Sequence, residues 1–217
     1  MTGDAHAVEE KLRCWFPEPA FVRASAIGEH PILPEEQEQV ARAVRHRREE
    51  FATGRWLCRQ GLQGFGLPDR PIGVGRLLNP LFPETVTGTI SHDGDVCAVV
   101  VARRDSLAAK GIGIDLMSLP HRADRVARVE RMFVTHPNEL AAMANFDVAV
   151  EPAMLLFSLK EAAIKAMSHL LNDFIDMREV EIRRDATLSL RFRGQLISAE
   201  LMAAVAGTYL VTGAKVR

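Results

Sequence analysis

Phe157-Ser158-Leu159-Lys160-Glu161-Ala162-Ala163-Ile164-Lys165-Ala166 is the stretch from which the rest of the chain can be read. Around it, Leu155, Leu156, Leu159, Ala163, Ala166, Met167 and Leu170 recur at helical spacing. That pattern predicts a helix buried along one side. At about 100° per residue, Glu161 and Lys165 fall opposite the apolar stripe and Lys160 falls at its flank. As a solvated face, the Glu161–Lys165 pair would contribute about 0.3–0.5 kcal/mol. As a functional face, two ammonium groups and a carboxylate suit a metal-assisted reaction on a phosphate-bearing substrate. The choice between the two rests on what lies upstream.

The 217 residues are enough for one large domain or two small ones, and 47% hydrophobic with 25% charged residues is ordinary globular composition. A net charge of −1 provides no global field for nucleic acid or an anionic membrane, so any anionic ligand must be held by local Arg and Lys. Cys14, Cys58 and Cys97 are few, far apart and lack zinc-ligand spacing. They read as small buried hydrophobes in a reducing compartment. Residues 1–13 carry Asp4, Glu9 and Glu10 and have no apolar core resembling a signal peptide. With no apolar run of membrane-spanning length either, the expectation is a cytosolic protein.

Residues 1–33, broken by Pro17, Pro19 and Pro31, read as irregular structure with one strand. Leu33-Pro34-Glu35-Glu36 is a good helix start, with proline in the first turn and acids at the positive end of the dipole. A helical pattern follows to about Leu62, where Gly61, Gly64 and Gly66 end it. Arg48, Arg55 and Arg59 share one edge of that helix, either as a basic surface or as a grip for phosphate, which guanidinium forks suit. Residues 67–89 read as a long loop. Ser91-His92 then precedes an Asp93-Gly94 turn between two strands, and Gly111–Met117 reads as a buried strand carrying Asp115. A carboxylate among Ile and Leu needs a partner, and a divalent cation is one candidate. Arg122–Val134 is patterned as a charged surface helix, and Pro137-Asn138-Glu139 starts another short one. Strands are expected at Val180–Ile182, Thr187–Phe192 and Tyr209–Thr212, and no internal repeat is visible.

Ser91-His92, Asp115 within Gly-Ile-Asp, and Lys160-Glu161-x-x-x-Lys165 stand in an order that resembles the 4'-phosphopantetheinyl transferases, of the larger enterobactin- and surfactin-synthetase type. The likeness extends to Leu33-Pro34-Glu35-Glu36, the Arg47–Arg59 helix, Pro71–Gly75 and Asn79-Pro80-Leu81-Phe82-Pro83. It implies an α/β (α+β) fold made of a pseudo-twofold pair of halves, here residues 1–110 and 111–217, each with a small, mainly antiparallel sheet and a long helix. It also implies transfer of the phosphopantetheine arm of coenzyme A to a serine of an apo acyl- or peptidyl-carrier protein by a monomeric enzyme, releasing 3',5'-ADP. Carried over, Asp115 and Glu161 would hold Mg2+, while Lys160, Ser91 and His92 would lie at the phosphates. Lys165 would serve phosphate binding or proton transfer. Arg47, Arg48 and Arg55 would grip the 3'-phosphoadenosine end, with Arg76 as the basic residue of the preceding loop.

Two positions depart from the family pattern. Met117 stands where a second acid is usual, and a thioether is a poor ligand for a hard cation. Leu77 stands where a basic residue is common. These departures leave room for a second reading, a weakly catalytic relative that binds coenzyme A or a carrier protein without transfer.

Overall fold

The computed structural model describes residues 3–120, 130–171, 173–184 and 188–217. The chain forms two compact units, residues 1–108 and 109–217.

The first unit opens with a helix, α1 (Gly3–Trp15), where irregular chain was expected. Ala5, Val8 and Leu12 form its buried face, a pattern obscured in the sequence by the charges between them. Glu9, also buried, accepts the Ala24 amide at 2.9 Å and ties α1 to β1 (Phe21–Ala26). Next come α2 (Pro34–Gln39) and α3 (Arg45–Gly64), then a small hairpin of β2 (Gly73–Val74) and β3 (Pro80–Leu81). β4 (Val86–Asp93) and β5 (Val96–Arg103) complete the unit, with β5 antiparallel between β1 and β4. Leu57, Cys58 and Leu62 of α3 pack on Cys97, Val99 and Val101 of β5. Cys58 and Cys97 are buried as expected, whereas Cys14 is exposed.

The single helix expected from Pro34 to Leu62 is in fact two. Glu36 of α2 forms a buried ion pair with Arg59 of α3, 23 positions later. A straight helix rising 1.5 Å per residue would hold such residues about 35 Å apart. The chain must turn over residues 40–44 for the two to meet.

The second unit starts with β6 (Gly111–Ser118), followed by α4 (Asn138–Ala142) and α5 (Pro152–Leu171). Most of the charged helix expected over Arg122–Val134 lies outside the described residues, which resume with a 3-10 turn at Glu130–Met132. β7 (Val180–Arg184), β8 (Leu188–Phe192) and β9 (Gln195–Ile197) form an antiparallel meander. β10 (Ala199–Ala206) and β11 (Tyr209–Val216) form a hairpin, and β11 lies antiparallel between β6 and β10. No strand is predicted at Ala199–Ala206, because Ala, Glu, Leu and Met favour helix. Pairing with β11 over eight positions overrides that preference.

The α/β class implied by the resemblance is present, with a small antiparallel sheet and a 20-residue helix in each unit. A repeat also appears that the residues do not announce. Each unit runs strand, long helix, hairpin, and in each the last strand occupies the middle of the sheet. Both hairpins turn through a glycine in the left-handed region, Gly94 at φ 53° and Gly207 at φ 59°, where a Cβ would be strained.

Candidate active site

Gly111, Gly113, Asp115 and Met117 alternate onto one face of β6. A Cβ at Gly111 would lie 2.1 Å from the Ala166 carbonyl oxygen, and one at Gly113 would lie 2.0 Å from that of Ala162. The two glycines therefore let α5 rest with its backbone directly on the strand. That approach brings the next residue on the face, Asp115, against the side chains of α5. Ser158 Oγ donates to Asp115 Oδ2 at 2.8 Å, and Lys165 Nζ donates to Asp115 Oδ1 at 2.7 Å and to the Ile114 carbonyl at 3.1 Å. Thr212, opposite Asp115 in the β11 register, donates its hydroxyl to the Ser158 carbonyl at 2.9 Å and lies 2.9 Å from Ser158 Oγ.

Glu161 sits one turn beyond Ser158, within the field of both Asp115 and Lys165. Burial pushes its carboxyl above the ordinary value; Lys165 pulls the other way, and the Asp115 charge adds to the rise. No hydrogen bond reaches the Glu161 side chain among the described residues. Two carboxylates that repel each other, both offering hard oxygen donors, fit a small divalent cation that keeps most of its waters. Among the described residues, no group of three or more His, Cys, Asp or Glu gathers for a metal. Met117 shares the face of Asp115 but is packed into the apolar core, with 3% of its surface exposed.

Lys160 departs from the sequence reading. It lies inside the protein, not at the flank of the stripe, and its side chain is fully buried. Nζ pairs with Glu139 Oε1 at 2.8 Å and donates to the carbonyls of Phe133 at 2.5 Å and Met177 at 3.5 Å. Its ammonium group is thus enclosed by protein acceptors. Burial draws the Lys160 pKa down, against the pull of Glu139. For Glu139, burial alone would raise the carboxyl, but hydrogen bonds from Lys160, Thr135 and Ile182 outweigh it and hold the group below its ordinary value.

Three basic residues of the first unit, Arg47, Arg55 and His92, line a cavity of about 280 Å³ together with Glu50 and Phe51, with the β2–β3 hairpin forming part of its wall. Arg47 Nη1 donates to Glu50 Oε2 at 2.9 Å and lies 2.9 Å from His92 Nε2, while His92 Nδ1 is 3.3 Å from Glu50 Oε1. Arg55 donates Nε to the Ile72 carbonyl at 3.0 Å and lies over the Phe51 ring at 4.4 Å. Its guanidinium is buried, which lowers its proton affinity; the Arg47 charge is a smaller contribution in the same direction. Arg48 and Arg76 are exposed and lie outside the cavity lining. Ser91 is buried and alternates to the face opposite His92, so only the histidine of that pair lines the cavity.

Four polar residues now matter that the sequence did not single out: Ser158, Thr212, Glu139 and Glu50. Ser158 left a trace, as a lone hydroxyl one turn ahead of Glu161 and Ala162, and Glu50 another, as an acid three residues after Arg47. The partners of Thr212 lie far away in sequence, as do Lys160 and Ile182 on Glu139, and only the helix start at Pro137 marks Glu139 locally.

Residues 35–102 match the model of the 4'-phosphopantetheinyl transferase N-terminal domain, and residues 111–212 match that of the 4'-phosphopantetheinyl transferase superfamily. The chain is 32% identical to 4'-phosphopantetheinyl transferase PptT of Mycobacterium tuberculosis, over 78% of this chain and 72% of that one. It is 36% identical to 4'-phosphopantetheinyl transferase Svp of Streptomyces mobaraensis, over 71% of this chain and 61% of that one. Enterobactin synthase component D of Escherichia coli K12 matches at 33%, over 59% of this chain and 58% of its own. The chain thus spans less than two thirds of the last two relatives. With a model matched in each unit and PptT matched over most of its length, the chain belongs to the 4'-phosphopantetheinyl transferase superfamily.

Proposed function

We propose that this protein transfers the 4'-phosphopantetheine arm of coenzyme A to a serine of an apo acyl- or peptidyl-carrier protein in an Mg2+-dependent reaction that releases 3',5'-ADP. The observation that carries this reading is Asp115 held by Ser158 and Lys165 with Glu161 beside it. In the reaction, the serine oxygen forms a bond to the pantetheine-bearing phosphorus. The bond from that phosphorus to the bridging oxygen breaks, its electron pair leaves with 3',5'-ADP, and the serine proton passes to water. Such a displacement needs charge neutralisation and in-line placement more than covalent participation by the protein.

Asp115 and Glu161 are the residues that would hold Mg2+, which supplies Lewis-acid neutralisation of the pyrophosphate when bound. Ser158 and Lys165 fix the Asp115 carboxylate, and Lys165, with 28% of its side-chain surface exposed against 11% for Asp115, would attract phosphate oxygens. Arg47, Arg55 and His92 would hold the 3'-phosphate end in their cavity. Incubation with coenzyme A, Mg2+ and a panel of apo carrier proteins should add the mass of phosphopantetheine to a carrier.

A second reading is favoured by one observation: Met117 is enclosed where the family usually has an acid, leaving β6 a single carboxylate. On that reading the protein binds coenzyme A or a carrier without transfer. Tight binding of coenzyme A with no mass gain, on a panel that includes the native carrier, would select it.

A further inference from the structure

Neither the Leu33-Pro34-Glu35-Glu36 stretch nor buried Lys160 takes part in the chemistry above, yet each belongs to a construction that occurs twice. In the first unit, Glu36 is fully buried at the start of α2. Its Oε2 accepts the Leu33 amide at 3.0 Å and pairs with Arg59 from α3, while Oε1 accepts the Ile72 amide at 2.9 Å. In the second unit, Glu139 is fully buried at the start of α4. Its Oε2 accepts the amides of Thr135 at 2.8 Å and His136 at 3.1 Å, while Oε1 pairs with Lys160 from α5 and accepts the Ile182 amide at 3.1 Å. Each acid follows a proline by two residues, Pro34 or Pro137, and each receives the amide three residues back. Each also receives a cation from the unit's long helix and an amide from the chain beyond that helix.

What each acid holds lies next to a proposed substrate-binding group. Ile72, whose amide Glu36 holds, also offers the carbonyl that accepts Arg55 Nε at 3.0 Å. Glu36 thereby sets the direction of Arg55 in the cavity. Lys160, fixed by Glu139, immediately precedes Glu161 and lies about 200° around the helix from Ser158. Helix α5 is therefore held from two sides, by Asp115 through Ser158 and Lys165 and by Glu139 through Lys160.

We infer that Glu36 and Glu139 are positioning residues of the transfer reaction, Glu36 for the nucleotide end of coenzyme A and Glu139 for the pyrophosphate end, with Lys160 acting through Glu139 and not on the substrate. This rests on the transferase reading. Transfer by the unaltered protein is therefore measured first, and its absence counts against that reading alone. In that event, calorimetric binding of coenzyme A still tests Glu36, since Glu36→Gln must weaken it about tenfold.

With an active protein, Glu36→Gln should raise KM for coenzyme A about tenfold with kcat within about twofold, and the effect should shrink with dephospho-coenzyme A. Glu139→Gln should lower kcat about tenfold with KM within about twofold. Lys160→Met should do the same, and the Glu139→Gln/Lys160→Met double variant should lose no more than the worse single variant. Should Glu139→Gln fail to fold with Lys160 left without its counter-charge, Lys160→Met is compared directly with the double variant, and equal kcat is expected. Equal effects of the Glu36 and Glu139 variants on both constants, or a double variant that loses the product of the two single losses, would overturn the inference.

Discussion

Asp115 has two obligations, to the strand that carries it and to the helix laid over it, and they separate in mutants. Asp115→Asn should abolish Mg2+-dependent transfer by removing a charged oxygen donor while keeping an acceptor for Ser158. The check is the mass gain on a carrier protein beside a melting curve. Ser158→Ala should be milder, lowering kcat about tenfold and stability by about 1–3 kcal/mol, because it strips partners from Asp115 and Thr212 without removing a charge. A lower melting temperature with unchanged kcat would reduce Ser158 to packing. Met117→Glu should destabilise the protein by several kcal/mol and leave the Mg2+ requirement no lower, since the thioether is enclosed among apolar side chains. A Mg2+ titration of activity beside a melting curve tests this, and a lowered requirement would place residue 117 at the metal. The need of Asp115 for a partner was legible in the sequence because a carboxylate among Ile and Leu is costly on any fold. The burial of Lys160 was not, because helical periodicity gives an angle around the axis and not the depth of what lies on that side.

The close seating of α5 on β6 depends on two missing side chains. Gly113→Ala would place a carbon against the Ala162 carbonyl, backbone against backbone, so the helix must shift and Asp115 must lose its contacts with Ser158 and Lys165. We expect a lower melting temperature and a loss of transfer of at least about tenfold, measured against Gly64→Ala, whose added carbon meets nothing within 4 Å. Wild-type turnover in Gly113→Ala would show that the glycine does not set the site. At this scale the sequence is readable where local chemistry and tertiary packing agree, as in α5, β6 and the Asp93-Gly94 turn. It misleads where they conflict. The helical pattern running past α2 carries no sign of the Glu36–Arg59 pair that bends it, and β10 is written in helix-forming residues that only β11 makes a strand.

Across the whole molecule, the shared connectivity of the two units was invisible in the sequence because it survives in topology and a Pro-x-Glu start, not in a run of matching residues. Stability should also depend on pH through His30, which stacks on Trp56 at 4.1 Å and whose pKa burial lowers from 6.5, against a smaller rise from a hydrogen bond with Ala26. A lowered folded-state pKa favours the neutral ring, so this contribution is full above about pH 6.5 and is lost as pH falls through the folded value. His30→Gln should therefore show a shallower fall in melting temperature below pH 6.5 than the unaltered protein, and parallel curves would exclude the histidine. The distribution of thiols has a practical consequence. Cys58 and Cys97 are enclosed, burial pushes the Cys58 thiol up to about 12 and raises that of Cys97 too, and Cys14 alone is exposed. Since the thiolate is the reactive form, a maleimide dye at neutral pH should attach at one position, on α1, giving a singly labelled fluorescent protein without engineering.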